Sequence, residues 1–183
     1  MIGAARFPNG FERRAATVEL RVAGRKLVGL AAPFNSPAQI GGFTERLAPG
    51  AFAASLASGA DVRCLVDHDD DRLLGRTRSG TLRLVETRAG LEFELDIPDT
   101  QLGRDTLVMA ERGDLSGCSF GFTVPQGGDH WPTRDQRELR CVNLAEISVL
   151  NRPPAYAATA VAARALGRAE ANARIRRLFL ETL

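Results

Sequence analysis

The chain has 183 residues, 44% of them hydrophobic and 25% charged, enough for one globular core with short extensions. A formal net charge of +2 and an aromatic content of 6% argue against a nucleic-acid partner, because they supply neither a basic face nor a stacking platform. Cys64, Cys118 and Cys141 show no C-x-x-C spacing and form no disulfide framework, which points to a reducing, cytoplasmic compartment. The start, "MIGAARFPNGFERRAA", carries no signal-peptide pattern, and no stretch reaches the roughly 18 apolar residues of a membrane span, so no membrane is expected.

Residues 1–14 read as a flexible N-terminus. "TVELRVAGRKLVGLAAPF" (17–34) predicts a hairpin turning at Ala23-Gly24-Arg25, and "NSPAQIGGF" (35–43) predicts a loop. "APGAFAASLASG" (48–59) predicts a short helix stopped by Gly59. "DVRCLVDH" (61–68) is a strand, and "GTLRLVETRAGLEFELDIP" (80–98) a second hairpin across Thr87–Gly90. "DTQLGRDTLVMAERGD" (99–114) is a helix that Asp99 or Thr100 caps and Gly113 ends. "LSGCSFGFTV" (115–124) and "ELRCVNLAEISVL" (138–150) are strands, with a flexible loop over 125–135 between them. Proline breaks up 152–159, and 161–183 is a basic helix, either docked on a partner, lost during maturation or simply solvated on one face. Hairpins, few helices and no βαβ alternation suggest an α+β, mainly β fold: an antiparallel β-barrel with surrounding helices.

Strand alternation sorts the polar residues. Ser119 shares a face with Gly117 and Gly121, a nearly bare face that leaves room for another chain. Ser116 and Cys118 share the phenylalanine face, and Cys118 reads as a small buried hydrophobe. His68 lies on the parity of Val62, Cys64 and Val66, at the mouth of its strand. Such a histidine is commonly a hydrogen-bonded core residue, yet a serine hydrolase here must take its base from His68 or His130. Lys26, the only lysine, sits in a hairpin, and His130 sits in a loop unsuited to exact placement. Glu146 shares its parity with Val142, Leu144 and Leu150, and a buried carboxylate there needs a partner, either an imidazole or an arginine. The "DHDDD" run (67–71) lacks calcium-loop spacing and reads as solvated turn acids.

Five segments in order, "ERLAPGAFAASL", "VDHDDDRLLGRTRSGTLRL", "GLEFELDIPDTQLGRD", "ERGDLSGCSFGF" and "LAEISVLNRPPAYAAT", resemble the prohead proteases of tailed bacteriophages, over about residues 17–160. Related genes also sit in prophages and gene-transfer agents. The resemblance implies a serine endopeptidase with a barrel like that of the herpesvirus capsid-assembly protease, within residues 15–160. It places the histidine of an H-D segment on His68, the nucleophile of an S-F-G-F segment on Ser119, and the carboxylate of an E-x-S-V segment on Glu146. Many relatives carry a hydrophobic residue such as methionine where this chain has Cys118. No cofactor or metal is implied. The implied substrates are scaffold, the major capsid protein and the enzyme itself, cleaved inside assembling proheads in the host cytoplasm. A homodimer is suggested by the viral relatives, though no stretch identifies an interface.

Oxyanion donors are expected from backbone N–H groups. Arg76 is a candidate helper whose plainer role is a surface salt bridge. Two other readings stay open at this point. One is a non-catalytic capsid-assembly factor on the same fold. The other is a small-ester or Cys118 hydrolase, which the missing G-x-S-x-G elbow disfavours.

Overall fold

The structure is a computed structural model that describes residues 10–115 and 117–151. The chain runs β1 (Phe11–Ala16), β2 (Leu20–Ala23), β3 (Lys26–Pro33), β4 (Ala38–Ile40), β5 (Phe43–Leu47), α1 (Ala53–Ala57), β6 (Arg63–Val66) and β7 (Asp69–Arg76). It continues through β8 (Leu82–Glu86), β9 (Gly90–Asp96), α2 (Gln101–Arg112), β10 (Gly117–Thr123), β11 (Asp129–Thr133), β12 (Gln136–Leu139) and β13 (Asn143–Leu150). Mainly β is therefore right. The barrel is not, because the strands form three separate sheets, β1-β10-β13-β6-β7, β11-β12-β5-β4 and β2-β3-β9-β8. Two pairs, β13–β6 and β12–β5, are parallel rather than antiparallel.

Both expected hairpins form, β2–β3 with Ala23 opposite Lys26 and β8–β9 with Glu86 opposite Leu91. Thr100 caps α2, its hydroxyl accepting from the Gly103 amide at 3.1 Å, and Gly113 stops the helix at φ 77°. Four expectations fail, the first being the single strand over 138–150, which residues 140–142 divide into β12 and β13 of different sheets. The segment 35–43 is no loop: Gly41 and Gly42 form the tip of a β4–β5 hairpin. The segment 125–135 contains β11, which pairs with β12 and is held by Trp131 edge-on to Phe43 at 5.0 Å and by Asp129 bonded to Arg137 at 2.8 Å. The expected flexible N-terminus holds β1 from Phe11 onward, the edge strand beside β10. The expected helix over 161–183 and the boundary at 160 lie outside the described residues.

The core gathers the inner face of the five-stranded sheet (Cys64, Val66, Cys118, Phe120, Phe122, Ile147, Val149) with Leu27, Ala31, Leu91, Phe93 and Leu95 of the β2-β3-β9-β8 sheet. Charges also enter the interior. Glu12 and Arg14 of β1, Glu45 of β5 and Arg137 of β12 are each at most 6% exposed. Arg14 donates from Nε to Glu45 at 2.6 Å, and Arg137 donates from Nη2 to Glu12 at 3.0 Å and from Nη1 to Glu45 at 3.0 Å. Burial opposes the charges of Glu12, Arg14 and Arg137. Their partners outweigh it, so that Glu12 is held below the ordinary carboxylate range and Arg14 and Arg137 above the ordinary guanidinium value. This cluster fastens β1 to β5 and β12, so the edge strand is clamped on its inner side.

Candidate active site

The outer face of the five-stranded sheet carries the polar residues. Register aligns Ala15, Ser119, Ser148 and Leu65 in one row across β1, β10, β13 and β6, and Arg13, Gly121, Glu146 and Arg63 in the next. Ser119 and Glu146 therefore lie on one face of adjacent strands, while Cys118 lies opposite, in the core.

Two local irregularities bring Glu146 and His68 together. The first is a bulge in β13. Gly121 pairs with Glu146 and the next residue, Phe122, pairs with Leu144, which leaves Ala145 unpaired. The extra residue breaks the parity, so Val142 and Leu144 join the core while Glu146 turns to the outer face. Simple alternation had put all three on one face. Gly121 makes the space: a Cβ there would stand 2.7 Å from Glu146 Cγ and 2.5 Å from Phe11 Cζ.

The second irregularity is the two-residue turn between β6 and β7. Asp67 and His68 have φ of 52° and 62°, a combination that two-residue hairpins favour and that Asp and His tolerate better than most residues. This turn ends the strand alternation before His68. The imidazole consequently leaves the side of Val62, Cys64 and Val66 and reaches the outer face. The turn is pinned to β13, with the Asp67 amide donating to the Val149 carbonyl at 3.0 Å and the His68 amide donating to Ser148 Oγ at 3.1 Å.

The result is a close pair: His68 Nδ1 lies 2.7 Å from Glu146 Oε1. Arg13 Nε donates to the same oxygen at 2.9 Å. Glu146 thus has both kinds of partner that the sequence left open. The carboxylate is 1% exposed. Burial pushes its pKa up, and the hydrogen bonds and charges of His68 and Arg13 more than reverse this, holding it below the ordinary range. With Nδ1 engaged, the other ring nitrogen of His68 is the one free to exchange a proton with a reacting group.

Ser119 is 1% exposed, and its hydroxyl donates to the Arg14 carbonyl of β1 at 2.8 Å. The glycine face expected to admit another chain is occupied by this chain's own first strand: Gly117 backs onto Ala16 and Thr17, and Gly121 onto Phe11 and Glu146. Cys118 and Cys64 are wholly buried, and burial raises both thiols, that of Cys118 to about 12, which removes thiolate chemistry from this strand. His130 is exposed on β11. Arg76 is paired with Asp61, its plainer role. Asp69, Asp70 and Asp71 are exposed at the start of β7, and among the described residues no three His, Cys, Asp or Glu are grouped to hold a metal. Ser116 lies outside the described residues.

Sequence reasoning passed over Arg13 and Ser148. Ser148 had a signal, two residues after Glu146 and hence on its face. Arg13 had none beyond sharing parity with Phe11, because its partner is 133 residues away.

No curated protein and no solved structure matches the chain, so the expected likeness to the herpesvirus protease has no structural comparison behind it. Among the described residues no helix is long and apolar enough to cross a membrane. Residues 12–173 match the family profile of the caudovirus prohead serine proteases, and the segments carrying His68, Ser119 and Glu146 all fall within that match. A match over most of the sequence assigns the chain to that family of capsid-maturation hydrolases: it is a member of the caudovirus prohead serine proteases.

Proposed function

We propose that the chain is a serine endopeptidase in which His68, Ser119 and Glu146 act together on scaffold, on the major capsid protein and on the chain itself. The observation that supports this most is the 2.7 Å contact between His68 Nδ1 and a buried Glu146, on the face that Ser119 shares from the next strand. Glu146 orients the ring and stabilises its positive form, and the second ring nitrogen takes the Ser119 proton as Oγ attacks a peptide carbonyl. The imidazolium then protonates the leaving amine. Water, activated by the same ring, hydrolyses the acyl-enzyme.

Ser119 must first leave the Arg14 carbonyl and turn toward the ring, so the arrangement is a resting state that substrate reorganises; catalytic hydrogen bonds commonly tighten only in the complex. The burial of Ser119 favours a second reading, a capsid-assembly factor that keeps the fold without the reaction. Co-expression with the capsid protein separates the two. Wild type yields trimmed products by intact mass and Ser119→Ala yields none. Equal processing by both proteins rejects Ser119 as nucleophile, and assembly without cleavage by wild type supports the second reading.

A further inference from the structure

Glu146 is buried and must remain ionised when the imidazole is neutral, because only the carboxylate accepts from the Nδ1 proton and leaves the far ring nitrogen able to take a proton. In that resting state the imidazole brings no positive charge. Arg13 does, from 2.9 Å, on the same oxygen that faces His68. Arg13 is itself held in place: its guanidinium lies 5.5 Å from the Phe11 ring centroid, and the next residue, Arg14, anchors β1 in the buried ionic cluster. The main chain of β1 also reaches the second reacting group, through the Arg14 carbonyl on Ser119 Oγ.

We propose that Arg13 is a positioning residue of the reaction, a permanent cation from β1 that keeps Glu146 charged and aimed at His68 throughout the cycle. The proposal rests on the His68–Glu146 pairing in the reading above. The other charges around the pair have partners of their own. Arg63 of β6, in the Glu146 row, is bonded to Asp70 at 2.8 Å, and Asp67 of the turn is bonded to Arg72 at 3.4 Å.

Removing the Arg13 charge lets the imidazole–carboxylate unit hold a proton more tightly, whichever of the two groups carries it. The proton that inactivates the unit is then taken up at higher pH. Arg13 is 31% exposed, so solvent weakens the effect without removing it.

The test is an NMR titration of the full chain, in which only two histidines contribute imidazole signals. Wild type is compared with Arg13→Gln and Arg13→Lys, and with Arg13→Met as a second neutral variant that keeps the stem over Phe11. Circular dichroism checks that each folds. We expect the midpoint to rise in the Gln and Met variants and to return most of the way in Lys. An unmoved midpoint in a folded neutral variant, or a Lys variant indistinguishable from Gln, overturns the proposal. A fluorophosphonate, whose covalent capture is located by mass, is applied in parallel. If it fails to label Ser119 while the midpoint still moves, the nucleophile assignment fails and the Arg13–Glu146 coupling stands. If Ser119 is labelled but the midpoint is fixed, Arg13 alone is rejected.

Discussion

Gly121 is the position where one methyl group would do most damage. Its missing side chain leaves the space that Glu146 fills, and an added Cβ would sit 2.7 Å from Glu146 Cγ, 2.8 Å from Oε1 and 2.5 Å from Phe11 Cζ. Ordinary carbon contacts lie near 3.5–4 Å, so something must shift by roughly 1 Å. Overpacking of this kind costs about 1–3 kcal/mol. The acid cannot retreat cheaply, since it is buried and bound to His68 and Arg13, and separating a buried pair costs about 3–5 kcal/mol. Gly121→Ala is therefore expected to lower unfolding stability by about 2–4 kcal/mol in urea, between these bounds as Phe11 and Glu146 share the displacement. Capture of Ser119 by fluorophosphonate should slow by about a hundredfold, the usual consequence of a 1 Å misplacement near a reacting group. Gly42→Ala is the control, because no atom lies within 4 Å of its added Cβ and its φ is not positive. A Gly121→Ala protein with wild-type stability and labelling rate would show that Gly121 does not seat the acid, and the reasoning from the bulge would fall with it.

Ser148→Ala leaves the part-buried His68 amide without its acceptor, and urea unfolding should report a loss of about 0.5–1.5 kcal/mol together with slower labelling. Arg137→Met leaves two buried carboxylates, Glu12 and Glu45, to share the single guanidinium of Arg14 and should destabilise by about 3–5 kcal/mol, measured the same way. Glu12, Asp129 and Glu146 all have pKa values lowered by folding, so they contribute stability fully above the ordinary carboxylate range. That contribution is lost as pH falls below about 4.5, and a urea-midpoint series from pH 7 to pH 3 should decline steadily in the acid part. Of the three thiols, Cys141 alone should react quickly with a disulfide reagent at pH 8, with Cys64 and Cys118 reacting only on unfolding.

Much of the secondary structure was legible because it obeys local rules. The Gly24 hairpin, the Thr100 cap and the Gly113 stop are each decided by residues within a few positions of one another. The failure at the N-terminus has a cause at longer range. β1 begins "FERR", which reads as solvated until Glu45 and Arg137 arrive from 31 and 125 residues away to neutralise its inner face. The segments around 35–43 and 125–135 fail at short range instead: β4 and β11 are brief strands, each paired with the strand that follows it, and the Gly and Pro of these segments hide the alternation. In the site, Ser119 could be placed on its face by counting. Glu146 and His68 could not, because a bulge at Ala145 and a positive-φ turn at Asp67–His68 each interrupt the alternation. Glu146 therefore shed the apolar neighbours that its parity assigned, and His68 came out on the opposite side from Cys64. The expectation of an open glycine face failed for a related reason, as the visitor seated there is the chain's own first strand.

Among the described residues β1 pairs only with β10, which has a consequence for biosynthesis. Residues 11–16 leave the ribosome more than a hundred positions ahead of residues 117–123, and ahead of Arg137, which neutralises Glu12. The first of the described strands thus waits for partners made much later, and contacts this distant in sequence form slowly. Arg13 reaches Glu146 only once β1 has docked, so a chain whose first strand is still undocked holds the acid without its β1 cation.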